Sequence, residues 1–156
     1  MVFPSPGFPL YINEQASAER PAIRYDIATS YWLPGGSTLR SLLIVDDSPI
    51  SRKIIRRLLP PGPFDIREAG NGIECLKLYE EAPADLVFLD LTMPGMDGFE
   101  TLARLKALDP QAKVVVVTAD IQTSSQAKVK ELGALVVIAK PPKAEVIKLI
   151  MERYCP

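Results

Sequence analysis

The chain contains no histidine. That absence removes Ser-His and Cys-His catalytic arrangements and most zinc sites, so any proton chemistry or metal binding must use oxygen ligands or lysine. Cysteine is nearly as scarce. Cys75 and Cys155 are the only two and form no CxxC spacing, so neither a disulfide framework nor a structural zinc centre is expected, and a reducing cytoplasm fits best. Charge of one sign is not in excess either. Eighteen Lys plus Arg against nineteen Asp plus Glu leave a net charge of -1, and such bulk electrostatics recruit neither nucleic acid nor anionic lipid. No apolar run approaches the roughly 18 residues of a membrane span. Residues 1–10 also lack the basic start of a secretory leader. These absences predict a soluble cytoplasmic protein with no nucleic-acid and no membrane partner. With 156 residues, 47% of them hydrophobic and 24% charged, one buried core with a single appendage is the natural expectation.

What is present divides the chain in two. Residues 1–39 hold Pro4, Pro6, Pro9, Pro21, Pro34 and the breaker Gly35-Gly36, with no sustained period, and read as a Pro-rich N-terminal extension. A mobile tail is the favoured reading of this segment. Its aromatic content, which includes Phe3, Phe8, Tyr11, Tyr25, Tyr31 and Trp32, leaves open that part of it docks on the domain. Residues 40–156 form the domain proper. Four unbroken apolar runs occur there, at 42–45, 86–89, 114–117 and 135–138, and continuous runs of this length suit parallel strands covered on both faces. A fifth candidate, 64–67, alternates as an edge strand does.

Helical stretches are expected between these runs, at about 49–59, 72–81, 98–108, 121–132 and 143–154. Ser48-Pro49 supplies an N-cap followed by a proline at the first helical position. Ile50, Ile54 and Leu58 then mark an inward stripe, with Arg52, Lys53, Arg56 and Arg57 opposite; that basic face reads as solvated surface or as a partner-recognition surface. Asp97 and Gly98 read as turn and cap chemistry, and Gly133 as a left-handed helix terminator. Five strands alternating strictly with helices predict an α/β doubly wound parallel sheet, with ligands at the carboxyl ends of the strands.

Those ends carry the candidate chemistry. Asp46-Asp47 follow the first run, Asp90 the third, Thr118 the fourth and Lys140 the fifth. A parallel sheet gathers them into one crevice. Two carboxylates about 4 Å apart repel by roughly 4 kcal/mol at an effective dielectric near 20, so the cluster requires a cation as well as the lysine. With oxygen ligands only, Mg²⁺ is the expected ion, and a magnesium site of this kind is suited to phosphate. Asp90 then reads as a nucleophile forming an aspartyl phosphate, with Lys140 neutralising the transferred oxygens and Thr118 donating a hydrogen bond.

The stretches IVDDSP at 44–49, FLDLTMPGMDGFETL at 88–102, VVVTA at 115–119 and IAKPP at 138–142 together resemble the receiver domain of bacterial response regulators, chemotaxis regulators among them. The resemblance spans about 40–156 and implies a flavodoxin-like five-stranded parallel sheet in the order 2-1-3-4-5. It implies Mg²⁺ held by Asp47, Asp90 and the backbone carbonyl of Thr92, with Asp46 acting through water. It makes Asp90 the phosphoacceptor, Thr118 the switch hydroxyl and Lys140 the phosphate contact, and it implies a cis bond between Lys140 and Pro141. Two departures stand out. Val137 occupies a position often filled by a rotating aromatic, and Pro142 replaces the usual apolar residue. Asp120 and Thr92 fall where such domains tune the lifetime of the phosphoryl group.

The expected function is a stand-alone receiver that takes a phosphoryl group from a sensor histidine kinase or phosphotransfer protein and signals through contacts with a downstream protein, in chemotaxis or a phosphorelay. It would catalyse only its own phosphorylation and dephosphorylation. The alternative is a phosphorylation-independent receiver-like binding scaffold. A haloacid-dehalogenase-type phosphatase is disfavoured because Thr92 stands where that motif needs a second acid. The wide apolar sector of the last helix, Val146, Ile147, Leu149, Ile150 and Met151, is explained by cover from the extension, by a homodimer or by a partner.

Overall fold

Apolar runs with no polar interruption must bury both faces, and the chain achieves this with helices on each side of one sheet. The computed structural model describes residues 9–17 and 39–156. Strand β1 (Tyr11–Ile12) and a short 3-10 turn (Glu14–Ser17) come from the extension. The domain then runs β2 (Arg40–Val45), α1 (Pro49–Leu58), β3 (Phe64–Ala69), α2 (Gly72–Glu81), β4 (Leu86–Leu89), α3 (Gly98–Leu108), β5 (Val114–Thr118), α4 (Thr123–Glu131), β6 (Val136–Ala139) and α5 (Ala144–Tyr154). The sheet order is β1-β6-β5-β4-β2-β3. Its five parallel strands, counted along the chain, have the flavodoxin-like order 2-1-3-4-5.

The expectation of five strands is corrected by β1. It pairs antiparallel with β6, Tyr11 opposite Val137 and Ile12 opposite Val136. The Leu10 amide donates to the Val137 carbonyl and the Asn13 amide to the Leu135 carbonyl, each at 2.7 Å. An uncovered β6 edge would expose a row of such groups, and this short strand pairs them. So part of the extension docks on the domain. The remaining extension residues lie outside those described.

The core splits along the sheet. Leu43, Val45, Val87, Leu89, Val114, Val116 and Val137 face α2, α3 and α4, packing against Cys75, Tyr79, Leu102, Leu105 and Val129. Leu42, Ile44, Phe88, Val115, Val117 and Ile138 face α1 and α5, meeting Ile55, Ile147, Ile150 and Tyr154. Burial holds the Cys75 thiol protonated, with its pKa pushed up to about 12.

Helix boundaries fall close to their expected positions, and the caps are visible. Ser48 accepts the Ser51 amide, Asn71 that of Glu74 and Asp97 that of Glu100. Gly133 adopts φ +89 just beyond α4, where the left-handed terminator was expected. The inward face of α1 is corrected. Ile50 is 72% and Ile54 39% exposed, whereas Ile55 is 3% exposed and packs beside Leu58 and Leu59. Those three positions are spaced i, i+3, i+4, which sets a stripe rotated by one residue from the expected one.

Gly98 begins α3 directly against the loop leaving β4. A Cβ there would lie 2.2 Å from the Asp90 carbonyl oxygen and 2.5 Å from the Leu91 Cα, both backbone atoms that cannot rotate away. Gly98→Ala is therefore expected to lower stability by about 1–3 kcal/mol, read as a reduced urea midpoint with an unchanged slope.

Candidate functional site

Strand ends place the charges. Asp46 follows β2, where its amide donates to the Ala69 carbonyl at 3.1 Å, and Asp90 follows β4, where its amide donates to the Val45 carbonyl at 2.9 Å. Adjacent parallel strands thus set the two acids side by side. One carboxylate oxygen each from Asp46, Asp47 and Asp90 lies within 4.8 Å of the others. Asp46 and Asp90 are only 1% and 3% exposed, while Asp47 is exposed.

Lys140 completes the group from the end of β6. Its Nζ donates to Asp46 Oδ2 at 2.6 Å and stands 3.3 Å from Asp90 Oδ1. The Lys140–Pro141 bond is cis, as the resemblance implies. Thr118 ends the neighbouring strand, fully buried, and its carbonyl accepts the Lys140 amide at 2.8 Å. Its hydroxyl oxygen accepts the Asp120 amide at 3.0 Å, so the Thr118 side chain engages the loop after β5. Thr92 is exposed, and its amide donates to the Asp90 carboxylate.

The two buried acids differ in how they are satisfied. Asp46 Oδ1 accepts the Ser48 amide at 2.8 Å while Oδ2 takes the lysine, so both of its oxygens are engaged. Asp90 Oδ1 is buried and meets the Lys140 ammonium only at the longer distance of 3.3 Å. Burial pushes the Asp90 carboxyl above its ordinary range, the Lys140 charge opposes the rise, and the Asp46 charge adds to it. For Lys140, burial acts downward. The Asp46 hydrogen bond and the charges of Asp90 and Asp46 outweigh it and hold the ammonium above its ordinary pKa.

One ammonium against three carboxylates leaves two negative charges in a partly buried crevice. Their donor atoms are all hard oxygens, and the buried Oδ1 of Asp90 shares its ammonium with Asp46, which holds it more closely. A divalent cation of the Mg²⁺ type fits this set.

One positioning group escapes sequence reasoning. Arg52, read as part of a solvated or partner-facing surface, turns back from α1 and donates through Nη1 to the Asp46 carbonyl and through Nε to Glu68 at 2.9 Å. Arg56 joins the same carboxylate at 3.2 Å. Glu68 lies opposite Ile44 in the strand register, one pair before the strand ends, which is what brings it within reach of Arg52 and Arg56.

The model of the response regulator receiver domain matches residues 42–152. The chain belongs to that family. Its domain is 40% identical over 113 residues to the chemotaxis protein CheY of Listeria monocytogenes, covering 72% of this chain and 95% of that one. It is 35% identical over 115 residues to sporulation initiation phosphotransferase F of Bacillus subtilis, covering 74% and 93%. Among solved structures, the CheX-CheY complex of Borrelia burgdorferi with BeF3 and magnesium matches with TM-score 0.67 and 30% identity, covering 72% of this chain and 87% of that one. A receiver domain is a signalling module, and this one carries the acidic pocket at which such domains bind Mg²⁺. Strand β1 lies outside the matched receiver region. Among the described residues no helix is long and apolar enough to cross a membrane.

Arg52 and Arg56 hold the Glu68 carboxyl below its ordinary range, Arg52 being the larger influence and burial opposing. A lowered folded-state pKa contributes stability that is present above the unfolded value and is lost as pH falls through the folded one. Glu68→Gln is therefore expected to reduce stability by about 0.5–1 kcal/mol at pH 7, a modest figure because the pair is partly solvated. The difference from wild type should shrink below about pH 4 in urea titrations across pH. A constant difference down to pH 3 would contradict the charge-based account.

Proposed function

We propose that this receiver accepts a phosphoryl group on Asp90, from a histidine kinase or phosphotransfer protein, and signals through protein contacts. The observation that carries the reading is the convergence of three carboxylates and Lys140 on one crevice, where a single ammonium is shared between Asp46 at 2.6 Å and the buried Oδ1 of Asp90 at 3.3 Å. An ionised Asp90 oxygen attacks phosphorus, the bond from phosphorus to the donor's leaving atom breaks, and the leaving atom keeps the electron pair. No general base is required. Asp46, Asp47, Asp90 and the Thr92 carbonyl would hold Mg²⁺, which supplies positive charge to the transferred oxygens when bound.

Lys140 is placed to do the same from the other side, moving from Asp46 to the incoming phosphoryl oxygens. Thr118, at the end of the strand between those of Asp90 and Lys140, is the hydroxyl that would exchange its Asp120 partner for a phosphoryl oxygen. The group adds about -1.5 to -2 charges and three acceptor oxygens, a local change large enough to reposition the loops after β5 and β6. The exposed Lys53 and Arg57 on α1, the helix that follows Asp46 and Asp47, support docking of an acidic donor surface. The likeness to chemotaxis proteins and to a sporulation initiation phosphotransferase supports a place in chemotaxis or a phosphorelay, with the downstream protein bound through the receiver's own surface.

Wild type and two variants test the chemistry with acetyl phosphate as a labelled small donor. Wild type is expected to incorporate label with Mg²⁺, to lose it in EDTA and to regain it when magnesium is restored. Asp90→Asn should not label; equal labelling in this variant would end the assignment. Lys140→Ala should fold but label at least 10-fold more slowly, since it removes a charge aimed at the transferred oxygens.

A further inference from the structure

The docked piece of the extension reaches both helices that border β6. Leu10 and Tyr11 pack into the core layer beneath α4, and Ile12 packs into the layer beneath α5. On α4, Lys130 Nζ stands 4.5 Å from the centre of the Tyr11 ring. The Leu10 and Asn13 amides hold the Val137 and Leu135 carbonyls. From Val137 the strand continues directly to Lys140, whose ammonium closes on Asp46 and Asp90. The other strand paired with β6 ends at Thr118. A single stretch of chain therefore touches β6 and α4, the two elements that lead out of the crevice through Lys140 and Thr118.

The grip is small. Among the described residues Leu10–Asn13 is held by a two-residue strand, partly buried side chains and a ring-to-ammonium contact, so a displacement of β6 or α4 acts directly on it.

We propose that Leu10–Asn13 is a strap that holds β6 and α4 in their arrangement around unmodified Asp90 and releases the β6 edge when Asp90 carries a phosphoryl group. This rests on the phosphoacceptor reading of Asp90. In the unmodified site Lys140 is drawn onto Asp46, and β6 is seated with the strap in place. A phosphoryl group competes for the same ammonium and for the Thr118 hydroxyl, shifting the ends of both strands. A strap that fits the unmodified arrangement better than the phosphorylated one stabilises the former, so that binding at the crevice and docking of the strap oppose each other by the same factor in both directions. Release leaves the Leu135 and Val137 carbonyls unpaired on a sheet edge, a template for an extended segment of another protein.

Amide hydrogen exchange on the full chain tests this, with Mg²⁺ alone and with Mg²⁺ plus beryllium fluoride as the acyl-phosphate mimic. Exchange at Leu10 and Asn13 is expected to rise at least 10-fold with the mimic and not with magnesium alone, while Ile44 and Phe88 in the central strands stay protected. By reciprocity, Tyr11→Ala and, as a surface variant that spares the core, Lys130→Gln should each bind the mimic at least threefold more tightly in calorimetry. Unchanged or increased protection at Leu10 and Asn13 while the mimic is bound, or wild-type affinity in both variants, overturns the strap. If acetyl phosphate labels Asp90 and protection does not change, the strap alone is wrong. If Asp90 does not label, the phosphoacceptor reading falls and takes the strap with it.

Discussion

Three carboxylates confined within 4.8 Å of one another are the constraint from which the rest of this structure is best understood. Confinement of like charge is unfavourable at any plausible local dielectric, so every neighbouring element must either neutralise it or keep the acids from moving apart. The parallel sheet provides the confinement, because the ends of β2, β4, β5 and β6 share one edge and their backbone ladders fix how far apart those ends sit. Lys140 provides part of the neutralisation. The remainder is left for ligands, which is what distinguishes a site that binds from one that is merely folded.

The two buried acids divide the labour. Asp46 has both oxygens engaged, by the Ser48 amide and by Lys140, while its carbonyl is held by Arg52. It is therefore a fixed post. Asp90 has a buried oxygen that meets the Lys140 ammonium only at 3.3 Å and a carboxyl whose pKa burial raises, features that support the proposed reading of it as the phosphoacceptor. The Arg52–Glu68 pair extends this logic one layer outward. It joins α1 to β3 across the loop that carries Asp46, so the position of that post is set by the two elements that flank the loop.

The fold and the acidic crevice are legible in the sequence for one reason: unbroken apolar runs terminate abruptly in Asp46, Asp90, Thr118 and Lys140. Run length identifies a doubly covered strand, and the terminating residue then falls at a known edge of the sheet. Features set by rotation or by long-range pairing are not legible in this way. The face of α1 turns on whether Ile54 or Ile55 points inward, a difference of about 100° that a helix of this length, with isoleucine at both positions, does not specify. Arg52 looks like its neighbours Lys53 and Arg56 until the tertiary position of Glu68 is known. Strand β1 is invisible because two residues between prolines have no period. It exists only because β6 supplies an edge to pair with.

That edge also gives a physical account of Val137. A strand paired on both sides and covered by helices selects compact β-branched residues, and with β1 in place β6 is such a strand at Val136 and Val137. Directly opposite residues of an antiparallel pair project to the same face of the sheet, so Tyr11 stands beside Val137 on the α4 side. An aromatic ring therefore does occupy that face, supplied by the neighbouring strand and met there by Lys130. A large side chain at 137 would compete with Tyr11 for the same space. The absence of an aromatic from β6 and the presence of a docked strand from the extension are thus one packing solution, and a change at either position should be felt at the other.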